Sequence, residues 1–84
     1  MSLHVHDPEF AGRVRASFAK QHAMELIHAT LPVVEPGLTE IHLPHWTGVE
    51  QQHGFVHGGV VGMIAVSAAG YAAMTLVSAS ASVL

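Results

Sequence analysis

The most constraining feature of this sequence is a long stretch without charge. From Gln51 to Leu84 there is no Asp, Glu, Lys or Arg residue. Within this stretch, Val60–Val77 also lacks proline and is rich in Ala, Met, Ile, Val and Leu, so it suits a helix and is too long for one strand. It predicts a nearly wholly buried central helix that begins at Gly58. Residues 78–84 are predicted to be an exit loop and the start of a third strand.

Small residues recur along one face of this predicted helix. They stand three or four positions apart, at Gly62, Ala65, Ala69 and Ala73. Because small side chains let another backbone come close, we expect this face to lie nearest to the segment on which the helix packs.

Two further elements are predicted before the central helix. Residues 8–24 have the pattern of an amphipathic helix, with Asp7 and Pro8 as its start signals. Residues 26–43 alternate apolar and polar side chains on both sides of a Pro-Gly turn, which indicates an antiparallel hairpin. Pro32 has no N–H, so its strand is expected to lie at an edge or to carry a bulge. The whole pattern predicts an α+β fold.

A polar loop before the central helix carries the clearest motif. It reads Gln51-Gln52-His53-Gly54-Phe55-Val56-His57-Gly58-Gly59. The first N–H groups of a helix have no intrahelical partner, and the helix dipole is positive there. The two final glycines of the motif therefore mark a place where a carbonyl oxygen that gains negative charge is stabilised.

This loop and the helix after it resemble the hotdog-fold acyl-CoA thioesterases of the phenylacetate-pathway (PaaI) type. The resemblance runs from about Arg13 to the end of the chain, and is closest over residues 14–21 and 52–59. It implies a hotdog fold, in which a long central helix packs on an antiparallel sheet. It also implies that 1–84 is a single domain of which only the N-terminal part is present, with the active-site loop and central helix at 51–77.

The resemblance further implies a reaction and the residues that carry it. Water would attack a thioester carbonyl polarised by the Gly58 N–H and by Gln51, and His57 and Gly59 would be substrate-binding residues. The family's catalytic carboxylate falls at Val66, which can neither accept a proton nor orient a water. We therefore expect a chain that binds aromatic or medium-chain acyl-CoA and hydrolyses it little or not at all.

The composition limits the classes of partner and ligand that we expect for this chain. The chain has three Lys and Arg residues, too few for a nucleic-acid surface. It has no cysteine, and none of its short histidine spacings supplies a third ligand, so we predict no metal and no cofactor. Hydrophobic residues make up 50% of the chain, and we expect other copies to cover its apolar surface in a cytoplasmic homodimer or homotetramer.

Two other functions remain open from the residues alone. The same scaffold suits a non-catalytic acyl-CoA-binding or assembly module. The uncharged stretch Gly58–Val77 has about the length that crosses a bilayer, which fits a small single-span membrane protein. Its Ala, Gly and Ser content and the lack of closely flanking Lys or Arg argue against a membrane span.

Overall fold

The computed structural model describes residues 4–80, which form three helices and one β-hairpin. The helices are α1 (Phe10–Ala19), α2 (His22–Leu26) and α3 (Gly58–Met74), and the strands are β1 (Thr30–Glu35) and β2 (Leu38–His42). A 3-10 turn at Thr47–Val49 lies between β2 and α3. The end of the predicted exit loop and third strand, at 81–84, lies outside the described residues.

The helix predicted over 8–24 is broken into α1 and α2. Lys20 and Gln21 donate to carbonyls only three residues back, at 3.1 and 3.0 Å, so α1 ends in a tightened turn. Gln21 then takes an extended conformation, and its side-chain amide donates to the hydroxyl of Tyr71 on α3. This long-range bond turns the chain toward α3, and helical periodicity gives no sign of it.

Asp7 stabilises the turn before α1 and is not the N-cap of that helix. Its Oδ1 accepts the N–H of Glu9 at 2.9 Å, and its Oδ2 accepts Nε–H of Arg13 at 3.0 Å. Arg13 also donates through Nη2 to the carbonyls of Met74 at 2.8 Å and Val77 at 3.1 Å. Because these carbonyls lie at and beyond the end of α3, one arginine ties the start of the chain to that helix terminus.

We expect Asp7→Asn to reduce the acid sensitivity of the fold. The N–H of Glu9, and after it Arg13, hold the pKa of Asp7 below its ordinary value. A carboxyl with a lowered folded-state pKa contributes stability above its unfolded pKa, and loses it as pH falls through the folded value. The free energies of unfolding of the natural and Asp7→Asn proteins, measured in urea, should differ less at about pH 2 than at about pH 7. A difference in free energy of unfolding that stays the same at both pH values would contradict this role of Asp7.

The two strands form the predicted antiparallel hairpin around Pro36 and Gly37. Gly37 has a φ of 75°, the left-handed value that a tight turn reserves for glycine at this position. The register shifts between Thr30 and Val33, a span that contains Pro32. The strand was predicted to lie at an edge or to carry a bulge, and β1 is an edge strand of this two-stranded sheet whose pairing is irregular around the proline.

The first strand begins later than predicted, at Thr30 and not at Leu26. Leu26 ends α2, and His28 follows with a φ of 66°, the left-handed conformation that closes many helices. Ala29 N then donates to Met24 O at 2.9 Å, five residues back, which completes the cap. Glycine is the usual residue in this conformation, so a histidine there gives no signal in the sequence.

Helix α3 packs on β2, as predicted, and side-chain hydrogen bonds join it to the hairpin. Thr39 Oγ1 donates to the carbonyl of Ala68 at 2.6 Å, and Thr75 Oγ1 accepts the N–H of Gly37 at 2.7 Å. The buried apolar residues form two clusters, one of Met24, Ile27, Ala29 and Val49 and the other of Val14, Leu31 and Tyr71.

Helix α3 is only partly buried, so the prediction of nearly complete burial is wrong for this chain. The small residues lie on its exposed face: Gly62, Ala65, Ala69 and Ala73. Larger side chains pack into the core in their place, among them Val60, Met63, Ile64 and Tyr71. A large apolar side chain removes more surface from water than Gly or Ala does, so the large residues take the side that the hairpin covers.

Candidate functional site

The loop before α3 closes on itself through backbone hydrogen bonds. Gln51 N donates to Phe55 O and His57 N donates to Val49 O, each at 2.8 Å. Gly54 lies at the tip with a φ of 84°, which glycine adopts without strain. This segment, the Gln51 loop (Val49–His57), is therefore a short hairpin-like structure whose second arm leads directly into α3.

His57 is the N-cap of α3 and decides which N–H groups remain free at the helix start. Its Nδ1 accepts the N–H of Gly59 at 2.8 Å, and its carbonyl accepts those of Val60 and Val61 at 3.0 and 3.2 Å. The N–H of Gly58 makes no hydrogen bond within residues 4–80. A Cβ added at Gly58 would meet no atom within 4 Å, so the backbone is uncrowded on its side-chain side.

Gln51 is held by its own loop in a way that leaves a donor free. Its Oε1 accepts the N–H of His53 at 2.5 Å and that of Phe55 at 3.4 Å. In the described part of the chain its Nε2 makes no hydrogen bond, so both of its N–H groups remain available. A donor is the group needed to polarise a carbonyl oxygen.

Val66 lies on the uncovered side of α3, where its side chain is 69% exposed. It follows Gly58 by about two helical turns. The sequence of α3 contains no Asp or Glu, so the helix itself supplies no carboxylate in place of position 66.

A histidine–carboxylate pair beside Gln51 was not predicted from the sequence. His45 Nε2 lies 2.7 Å from Glu50 Oε2 and 3.1 Å from the carbonyl oxygen of Gly54. Both partners are acceptors, so Nε2 of His45 carries the proton. The contact exists because the Gln51 loop folds back, and the five-residue spacing of this pair matches no motif that would reveal it.

Trp46 anchors the segment before the Gln51 loop to the residues that follow α2. Its Nε1 donates to Ile27 O at 3.0 Å, and its ring stacks on that of His28 with centroids 4.1 Å apart and planes 6° from parallel. Gly48 lies directly against the indole, where an added Cβ would be 2.1 Å from the ring. Any larger residue at position 48 would displace Trp46.

Two surface clefts lie away from the start of α3. One of about 260 Å³ lies between α1 and β1, and its lining consists of Arg15, Phe18, Ala29, Thr30 and Leu31. The other, of about 420 Å³, is lined by four residues at and after α2: His22, Glu25, Leu26 and His28. Gly58 and Gln51 line neither cleft.

Between residues 4 and 80, no three His, Cys, Asp or Glu side chains are grouped so that they can hold a metal ion. None of the helices described there combines the length and the apolarity that a bilayer crossing requires, and α3 ends at Met74.

Helix, hairpin and long packed helix together define an α+β fold of the hotdog type, of which this chain holds one part. The chain is similar to the crystal structure of a thioesterase family protein from Silicibacter pomeroyi, with a TM-score of 0.79 and 40% sequence identity. The match covers 82% of this chain and 51% of that one, so this chain spans about half the length of the solved protein. No protein-family model matches the sequence, and no curated protein matches it either. The similarity supports a thioesterase family relationship without singling out the PaaI type.

Proposed function

We propose that this chain is a thioesterase-family module that binds acyl-CoA thioesters and lacks the group needed for efficient hydrolysis. The observation that carries the proposal is the presence of two unengaged donors at one end of α3, the Gly58 N–H and Gln51 Nε2. They belong to a helix start and to the loop that leads into it.

The start of α3 suits an oxygen that is gaining negative charge. The helix is 17 residues long, and its first turn carries no acidic residue that would compete with such a ligand. The Gly58 N–H and the positive end of the dipole both interact more strongly with an oxyanion than with a neutral carbonyl. Donors of this kind favour the transition state of thioester cleavage over its ground state.

The group that activates water is the missing part. Val66 has no acid–base chemistry, and two nearby candidates, His57 and Glu50, are engaged elsewhere. His57 accepts a hydrogen bond through Nδ1, so in the neutral ring Nε2 carries the proton and cannot take another. Glu50 is bound to His45. These contacts favour binding without turnover, which is also the behaviour of the non-catalytic acyl-CoA-binding module considered as the alternative function.

Substrate class and assembly complete the proposal. We infer a cytoplasmic protein that takes aromatic or medium-chain acyl-CoA, as in the PaaI type. We also infer a homodimer or homotetramer, because the exposed side of α3 is apolar and without charge. Val66 on that side would then lie where a second subunit approaches.

The proposal is tested by Gly58→Pro. Proline is accepted at the first position of a helix, so this change removes the N–H and keeps α3. In a Val66→Asp background, where turnover can be measured, we expect kcat to fall about 10²–10³-fold, the usual loss for one oxyanion donor. Gly58→Ala retains the N–H and adds a Cβ in open space, so its loss should be much smaller. Equal kcat values for the proline and alanine variants would refute the assignment of Gly58.

A further inference from the structure

Within residues 4–80, one side chain from outside the Gln51 loop forms hydrogen bonds with it, that of His45. Its single Nε2–H is shared between Glu50 Oε2 at 2.7 Å and Gly54 O at 3.1 Å. Glu50 belongs to the first arm of the loop and Gly54 to its tip. Gln51 lies between these two points along the chain, so the contact spans the residue that carries the free amide.

Besides His45, the loop is closed by its own backbone hydrogen bonds, by the bonds to Gln51 Oε1 and by the packing of Val49 and Val56 in the core. Residues 52–55 at its tip are exposed, so water competes with the backbone bonds that join its arms. The carboxylate of Glu50 is better protected, with its side chain 26% exposed. A hydrogen bond to an ionised group is also stronger than one between neutral groups. His45 therefore adds a side-chain link between the protected carboxylate of the first arm and the carbonyl of Gly54 at the tip.

The orientation of Gln51 depends on that closure. Its Oε1 is held by the N–H groups of His53 and Phe55, both in the tip. When the tip moves away from the first arm, Oε1 loses these partners and the amide is free to rotate. Its Nε2 is then no longer the group that is presented.

We propose that His45 is a positioning residue for Gln51. By joining Glu50 to Gly54 it keeps the Gln51 loop closed, with Oε1 of Gln51 engaged inside the loop and Nε2 presented as the donor. The role toward a ligand rests on the proposed function, whereas the closure of the loop rests on the geometry of His45 alone.

Amide hydrogen exchange in the unliganded chain tests the closure. The N–H groups of Gln51, Gly54 and His57 make the bonds that close the loop. We expect their exchange to be about two- to fivefold faster in His45→Ala, the size of effect that a surface ion pair usually has. His45→Gln keeps a side-chain N–H donor and should restore most of the protection. Unchanged exchange in His45→Ala would overturn the proposal.

The chain offers a matched control for this measurement. His42 Nε2 pairs with Glu40 Oε1 at 3.0 Å on the exposed side of β2, away from the Gln51 loop. His42→Ala therefore removes a histidine–glutamate pair whose histidine is about as exposed, at 60% against 57% for His45, and should leave loop exchange unchanged. Faster loop exchange in both alanine variants would show general loosening of the fold and would also overturn the proposal.

Binding of a non-hydrolysable thioether analogue of an acyl-CoA tests whether His45 acts through Gln51. We expect His45→Ala to weaken binding by about two- to fivefold in the natural chain and to have no further effect in Gln51→Ala, because the residue it positions is then absent. Equal losses in the two backgrounds would overturn the positioning role. If the unmodified chain binds no analogue, the proposed function fails and the role toward ligand fails with it, whereas the exchange data still decide whether His45 closes the loop.

Discussion

Val66→Asp is expected to raise acyl-CoA hydrolysis by about 10²–10⁴-fold, the usual contribution of a general base. The donors for the thioester oxygen are already free at Gly58 and Gln51, and α3 supplies no acid of its own. Val66 is 69% exposed in the single chain, so an aspartate there places no charge in this chain's own core. One substitution therefore adds the missing function at little cost to the fold.

The measurement is release of CoA from aromatic and medium-chain acyl-CoA by the purified proteins. Val61 is also exposed on α3, so Val61→Asp adds the same charge to the same helix and serves as the control. A pH profile of kcat should show one essential carboxylate in Val66→Asp alone. The same comparison can be made in a chimera in which this chain replaces the matched half of the Silicibacter pomeroyi protein. Equal turnover by the unmodified, Val61→Asp and Val66→Asp proteins would falsify the role of position 66.

The second large effect is expected at Tyr71, whose replacement by alanine should unfold much of the chain. Tyr71 is 0% exposed, and it packs with Val14 and Leu31. The ring of Phe18 meets it edge-on, with centroids 6.3 Å apart. Truncating a buried aromatic residue to alanine usually costs about 3–5 kcal/mol. A domain of this size has a total stability of roughly 4–12 kcal/mol, so the loss is a large fraction of it.

Tyr71→Phe separates the packing of the ring from the hydrogen bonds of its hydroxyl. The hydroxyl contacts Ser17 Oγ at 3.1 Å and accepts from the amide of Gln21, so phenylalanine leaves two half-buried polar groups without this partner. We expect a loss of about 1–3 kcal/mol for Phe and the full loss for Ala, measured by urea unfolding with circular dichroism. Similar losses for both variants would mean that the hydroxyl, and not the ring, dominates.

Local patterns in the sequence were sufficient for the main elements of the fold. The uncharged run before Val77 predicted α3, and the alternation around Pro36 and Gly37 predicted the hairpin. Pro32 predicted an edge strand or a bulge because it has no N–H to donate to a neighbouring strand. Each of these features depends on residues close together in the chain.

Features that depend on distant or unusual contacts escaped prediction. The break between α1 and α2 is associated with a hydrogen bond from Gln21 to Tyr71, fifty residues away. The late start of β1 follows from a left-handed conformation at His28, which histidine adopts far less often than glycine, so the residue type does not predict it. The small residues of α3 are exposed because larger side chains of the same helix take the side that the hairpin covers. This choice depends on tertiary packing, which the sequence pattern does not show.

The candidate site also combines residues that the sequence predicted with contacts that only the structure shows. Gly58 was predicted because glycines and a helix start coincide there, Gln51 was implied by the family resemblance, and the roles of both remain predictions. The partners of His57 and of Gln51 Oε1 come from the closed loop and determine which donors are free. The contact between His45 and Glu50 depends on the same closure, and no spacing in the sequence indicates it.

The contacts of Trp46 make its fluorescence a probe of the local structure. Trp46 is the only tryptophan in the chain. Its indole is held by a hydrogen bond to the carbonyl of Ile27, by the stacked ring of His28 and by close contact with Gly48. Indole emission shifts in wavelength and intensity when such contacts change. Its spectrum therefore follows, without any attached dye, whether the segment that leads into the Gln51 loop stays docked when a ligand is added.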